Sequence, residues 1–221
     1  MNRLIQTSLL LVFPFFLFAQ SKFDFGIHLN GGINRTIILE SEVSQMPSFE
    51  GKGQLSTGFG AGIQFKFTLK DKIFLRSGVT YQINEFRSKI EGLQFATGAA
   101  IIETKGPVHH LVLPLEAGIN FHSKLYGGGG LAWNFKLDEQ SSSKIIHENG
   151  TENDLATGSA TSQKSWPSVQ VFVGWENPIF KEAKLNIEPV FIFGFNKIQV
   201  NTFDISSPMY LFLGLNLRVL I

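Results

Sequence analysis

Cysteine is absent from all 221 residues. That excludes disulfides, thiolate metal sites, a cysteine nucleophile and a lipidated N-terminal cysteine. Charge is scarce: Asp, Glu, Lys and Arg make up 17% of the chain, below the usual quarter or so of soluble domains. Nineteen basic residues nearly balance eighteen acidic ones, so no bulk field points to nucleic acid. Long apolar runs are also missing beyond the N-terminus, so the rest of the chain cannot cross a membrane as a helix, which needs about 18 or more consecutive apolar residues. No helix-period segment, heptad or linker divides the sequence, which reads as one domain.

The first residues belong to targeting. Arg3 supplies a short positive segment, and Leu9 to Phe18 is apolar apart from Pro14. Ala19 is a small residue suited to the position before a cut. Residues 1–19 therefore read as a signal peptide, and 20–221 as the exported domain. The apolar run is too short to span a hydrocarbon core of roughly 30 Å as a helix.

What is present in abundance is alternation. Apolar and polar residues exchange with a period of two along eight segments: 22–36, 55–69, 73–87, 108–121, 125–137, 166–177, 184–196 and 208–221. A period of two places successive side chains on opposite faces of a strand. Between 55 and 69, for example, Leu55, Phe59, Ile63 and Phe65 share one face, and Ser56, Gly58, Gly60 and Gln64 the other. The connections are 37–53, 70–72, 88–107, 122–124, 138–165, 178–183 and 197–207, so long and short alternate without exception. The longest, from Asp138 to Ser165, is rich in Ser, Thr, Glu, Asn and Gly and reads as a solvated loop.

Two architectures share such a pattern. A soluble barrel or sandwich turns its apolar face inward. A transmembrane barrel turns it toward lipid and lines its lumen with the polar face. The polar faces here carry Gly, Ser, Asn and Gln with few charges, unlike a water-exposed surface. The apolar faces end near Phe, Tyr or Trp, as an aromatic girdle does. Each segment exceeds the ~9–11 residues that a tilted spanning strand needs. The expected fold is all-β: an eight-stranded antiparallel up-and-down transmembrane β-barrel with short periplasmic turns and longer outer loops.

Parity within the strands points seven charges into the lumen: Lys66, Arg76, Glu116, Lys136, Glu176, Glu188 and Arg218. Unpaired charges in a narrow interior are costly, so they should pair. They form either a salt-bridge network that fills the lumen or a polar path through it. Histidines are scattered. His28 faces the lumen, His109 and His110 end a strand, His122 lies in a short turn, and His147 in the longest loop. No spacing matches a zinc motif, so no metal is expected, nor any cofactor. Gly127 to Gly130 opens a strand and no Lys-Ser or Lys-Thr pair follows, so it is no phosphate loop. Asn149-Gly150-Thr151 fits a glycosylation pattern but reads as a turn. A rim enzyme would need a nucleophile, base and orienter in one motif, and no such motif is present; the chain is expected to be non-enzymatic.

The stretch from His109 to Phe135, HHLVLPLEAGINFHSKLYGGGGLAWNF, sets an apolar-Pro-Leu strand around Pro114 before a short turn and a Gly-rich strand start. With the Phe18-Ala19-Gln20 signal end, it resembles PorT-like outer-membrane β-barrel proteins of the Bacteroidetes type. Many such barrels end in an aromatic residue, whereas this chain ends Val219-Leu220-Ile221. The resemblance implies location in the bacterial outer membrane, contact with outer-membrane lipid, and partners in a secretion or envelope assembly, met through outer loops or periplasmic turns. It implies no settled activity. Two roles stand on these residues: a structural or interaction scaffold with a filled lumen, or a small channel for polar solutes.

Overall fold

The computed structural model of the protein describes residues 21–38, 50–95, 98–140, 142–155, 160–162, 164–181, 183–195, 198–200, 203–205 and 208–221. The signal segment expected over 1–19 lies outside them. Eight long strands form the body: β1 (Ser21–Ile38), β2 (Leu55–Leu69), β3 (Ile73–Phe95), β4 (Gly98–Asn120), β5 (Leu125–Glu139), β6 (Ser165–Pro178), β7 (Lys184–Phe195) and β8 (Pro208–Leu220). Each pairs antiparallel with its sequence neighbours. The last strand, β8, pairs with β1 from Gly26↔Leu220 to Ile38↔Pro208. The sheet is therefore a closed barrel, and its body has no open edge.

Closure carries a stagger. Register followed from Asp24 through Lys66, Arg76, Glu116, Gly130, Gln170, Ile192 and Phe212 returns to β1 at Asn34, ten positions beyond its start. Such a stagger tilts the strands and, with eight of them, leaves a bore just wide enough for side chains. Every residue on that spiral row points inward.

The turns at one end are tight. Lys70 and Asp71 adopt φ of 49° and 55°, and the Lys72 amide donates to the Leu69 carbonyl at 3.1 Å. Two consecutive left-handed residues make a turn whose twist matches that of the flanking strands. Both chain ends of the barrel lie on this side, where Phe25 and Ile221 exchange backbone hydrogen bonds of 3.0 and 2.8 Å.

At the other end the strands outrun the alternating pattern. Residues 88–107 were expected as a loop; instead β3 and β4 stay paired out to Phe95↔Gly98, past a register shift between Ile90 and Leu93. Much of 138–165 is also strand: Ser142–His147 pairs with β4, and Glu152–Leu155 pairs with Ser142–His147. Glu50–Gly53 pairs with β3 at Ser88–Glu91. Alternation is written where one face meets an apolar medium; beyond that zone pairing continues without it, so the sequence pattern is silent there.

Burial decides which face meets which medium. Large apolar residues on the outside are exposed, among them Leu115 at 65% and Leu131 at 61%. Inside, Lys66, Arg76, Glu116, Glu188 and Arg218 are buried. The barrel is thus apolar outside and polar within. Aromatic residues ring both ends of the outer surface: Phe23, Phe25, Phe121 and Trp175 on the tight-turn side, Tyr81, Trp133 and Phe135 toward the long extension.

The Gly127 to Gly130 run has a packing reason. A β-carbon at Gly128 would meet the Gly118 Cα at 2.7 Å and the Phe172 ring at 2.9 Å. Gly128→Ala is expected to destabilise the barrel by about 1–3 kcal/mol through overpacking. The urea midpoint of refolded protein reads this directly, and an unchanged midpoint would contradict it.

Candidate functional site

The lumen is built in layers. Its centre holds four charges from four strands: Arg76 on β3, Glu116 on β4, Glu188 on β7 and Arg218 on β8. Arg76 donates through Nε to Glu116 and through Nη1 to Glu188 at 2.8 Å. Arg218 donates to the other Glu188 oxygen at 2.5 Å and to the Gln64 amide oxygen. Arg218 also lies 3.8 Å from Glu116, and neutral donors add Asn216 to Glu188 at 2.8 Å, Tyr126 to Glu188 at 3.2 Å, and Gln170 to Glu116 at 2.7 Å. Two guanidinium groups face two carboxylates, so the cluster is neutral. Both carboxylate oxygens of each Glu are engaged. An unpaired charge in a low-dielectric bore is costly, and here each charge has partners.

Toward the tight turns lies an aromatic layer. The rings of Phe74, Tyr126 and Phe172 sit with centroids 5.6–6.3 Å apart. The Arg76 guanidinium stacks 4.4 Å from the Phe172 centroid, and the Lys66 ammonium lies 4.9 Å from that of Phe74. Cations over ring faces at these distances are attracted by the ring quadrupole. Glycine makes the sockets: a β-carbon at Gly174 or Gly118 would run into Tyr126 or Phe74.

Below that layer, at the mouth, Glu176 bridges two ammonium groups, Lys66 at 3.0 Å and Lys184 at 2.5 Å. A cavity of about 250 Å³ opens there, lined by these three with Lys22, Asp24 and Asn120 among others. Above the centre, His110 packs on Trp166 with ring centroids 5.3 Å apart, and Asn134 donates to Ser168 at 3.0 Å and to the Trp166 carbonyl at 3.1 Å.

The seven charges expected in the lumen are therefore not one cluster. Arg76, Glu116, Glu188 and Arg218 come together; Lys66 and Glu176 form a second group with Lys184 at the mouth. Lys136 stands apart toward the outer extension, where it pairs with Glu139 at 2.7 Å. Sequence reasoning passed over Phe74 and Phe172, although both share parity with the inward charges of their strands. Val190 and Phe212, which share inward parity with Glu188 and Arg218, are buried in the lumen as alternation places them. The histidines separate too. His28 is buried with its Nε2 2.8 Å from the Thr80 hydroxyl. His110 points inward, while its neighbour His109 meets Tyr81 at 2.6 Å on the outer side. Among the described residues no group of three or more His, Asp or Glu is placed to hold a metal ion.

Outside the barrel, the extension carries alternating charge across its strands. Register aligns Lys89, Glu103, Lys144 and Asp154 in one row. Lys144 pairs with Glu152 at 2.7 Å, and that hydrogen bond holds its ammonium above the usual range. A groove of about 660 Å³ lies beside this row.

A model of the outer membrane protein beta-barrel domain family matches residues 18–200. The chain belongs to that family. It is a small β-barrel of the bacterial outer membrane, its apolar belt facing lipid and its spanning strands crossing the bilayer. Among solved structures it is similar to the outer membrane protein OprG from Pseudomonas aeruginosa, with 14% identity, 88% of this chain and 95% of that chain covered, and a TM-score of 0.44. It is similar also to outer membrane protein W of E. coli, with 18% identity, 87% and 97% covered, and a TM-score of 0.32. Neisserial surface protein A shares 11% identity over 88% of this chain and 96% of that one, with a TM-score of 0.36. No curated protein matches the sequence.

Proposed function

We propose that this family member is a non-enzymatic scaffold with a sealed lumen, whose outer extension binds partners in the cell envelope. The observation that carries the reading is the neutral cluster of Arg76, Glu116, Glu188 and Arg218 seated on the Phe74, Tyr126 and Phe172 layer. A bore of eight strands has little space to spare, and here charges and rings occupy the middle of it. Groups held against each other in this way leave no continuous aqueous route for a solute. The binding role moves to the extension, where paired strands carry a row of both charge signs that suits a polar protein surface. The Leu113-Pro114-Leu115 strand supports a PorT-like placement of Bacteroidetes type, and with it a partner in a secretion or envelope assembly.

The test is conductance of detergent-refolded protein in a planar lipid bilayer, against an empty-detergent control. Folded protein is expected to give no steps above the control. Steady single-channel steps would overturn the sealed reading and make the lumen charges the selectivity filter of a small channel for polar solutes.

A further inference from the structure

The central cluster is balanced in charge but not in hydrogen bonds. Three obligate donors in it, Gln64 Nε2, Arg76 Nη2 and Arg218 Nε, have no partner among the described residues. The Asn30 Oδ1 acceptor and the His28 Nδ1 atom are likewise without one. All these atoms are buried, and the residues that carry them line one chamber of about 30 Å³. A buried polar atom left unsatisfied is strongly disfavoured, and native interiors rarely keep several together. Five around one chamber call for a ligand that both accepts and donates.

We propose that this chamber is a resident hydration site that holds two water molecules inside the barrel wall. Its size fits, since one water needs roughly 10–15 Å³ of such space. The chemistry fits as well. Two waters accept up to four hydrogen bonds, enough for the three obligate donors and for His28 in the tautomer that donates from Nδ1. They return a proton to Asn30 Oδ1. A halide would satisfy the same donors, but it would add an uncompensated negative charge to a cluster whose two guanidinium groups are already matched by two carboxylates. The neutral ligand is favoured. The aromatic layer of Phe74, Tyr126 and Phe172 lies between the chamber and the tight-turn mouth.

This inference goes beyond the scaffold reading, and its tests measure hydration and not conduction. The first is a crystal structure of the full-length exported protein grown in bromide salt. Two water peaks are expected within hydrogen-bonding distance, about 2.7–3.2 Å, of Arg76 Nη2, Arg218 Nε, Gln64 Nε2 and Asn30 Oδ1. A featureless chamber overturns the proposal, and so does an anomalous bromide peak in it. The second is Asn30→Leu, which replaces an amide oxygen that has no partner among the described residues. In a hydrated chamber it displaces water from the donors and lowers the urea midpoint. In a dry one it fills space, removes an unsatisfied atom and raises the midpoint, which would sink the idea.

Discussion

Glu188→Ala is expected to destabilise the barrel by about 3–5 kcal/mol, the magnitude found when one member of a buried ionic cluster is removed. Glu188 is fully buried and accepts hydrogen bonds from Arg76, Arg218, Asn216 and Tyr126. Without it, two guanidinium groups share the single carboxylate of Glu116, and the bore carries a net positive charge. The measurement is equilibrium urea unfolding of protein refolded into lipid vesicles. A loss under about 1 kcal/mol, the range of exposed ion pairs, would mean that water already screens the cluster. The double change Glu188→Ala with Arg218→Met separates charge balance from packing. It restores neutrality, so it is expected to lose less stability than Glu188→Ala alone. Equal losses would assign the effect to the cavity left by the glutamate.

Leu115→Arg is expected to cost about 2–4 kcal/mol, because a cation on the lipid face near the bilayer midplane must be dragged toward the interface. Leu115 is the outward neighbour of Glu116, 65% exposed, and stands between Ser77 on β3 and Leu131 on β5. The same substitution on a water-facing surface would fall within about 0.5 kcal/mol. Folding yield and the urea midpoint in vesicles distinguish the two. A near-zero effect in folded protein would contradict the placement of this face in lipid. The same arginine on the lumen side would act through the charge cluster instead, so position on the strand decides the mechanism.

Residue by residue, much of the barrel was legible. Alternation is a local property, and it placed Arg76 and Glu116 on inward faces because a strand sends every second side chain the same way. Short turns such as 70–72 made neighbouring strands pair, which set the order around the barrel. The misses have physical causes. Phe74 and Phe172 have inward parity but were passed over, because a polar inner face gives no reason to expect rings; a narrow lumen accepts them where glycines such as Gly118 and Gly174 leave room. Lys136 pairs, but away from the central cluster, since parity gives direction and says nothing of height along the bore. The strands beyond Arg87 escaped notice because paired strands in water need no apolar face.

By itself the sequence determined eight alternating strands, the side each residue faces, the tight-turn end, and a poor fit to any helical span. Those follow from near-neighbour geometry and composition. Only the tertiary structure decided which charges meet. Arg76 and Glu188 lie 112 positions apart, and they touch because closure of β8 on β1 with a ten-residue stagger slides distant strands to a common height. The division of seven charges into a neutral centre, a mouth pair and an outlying lysine is a product of that stagger. So is the chamber among the unpaired donors: residues of seven strands line it, and no local pattern records a space between them.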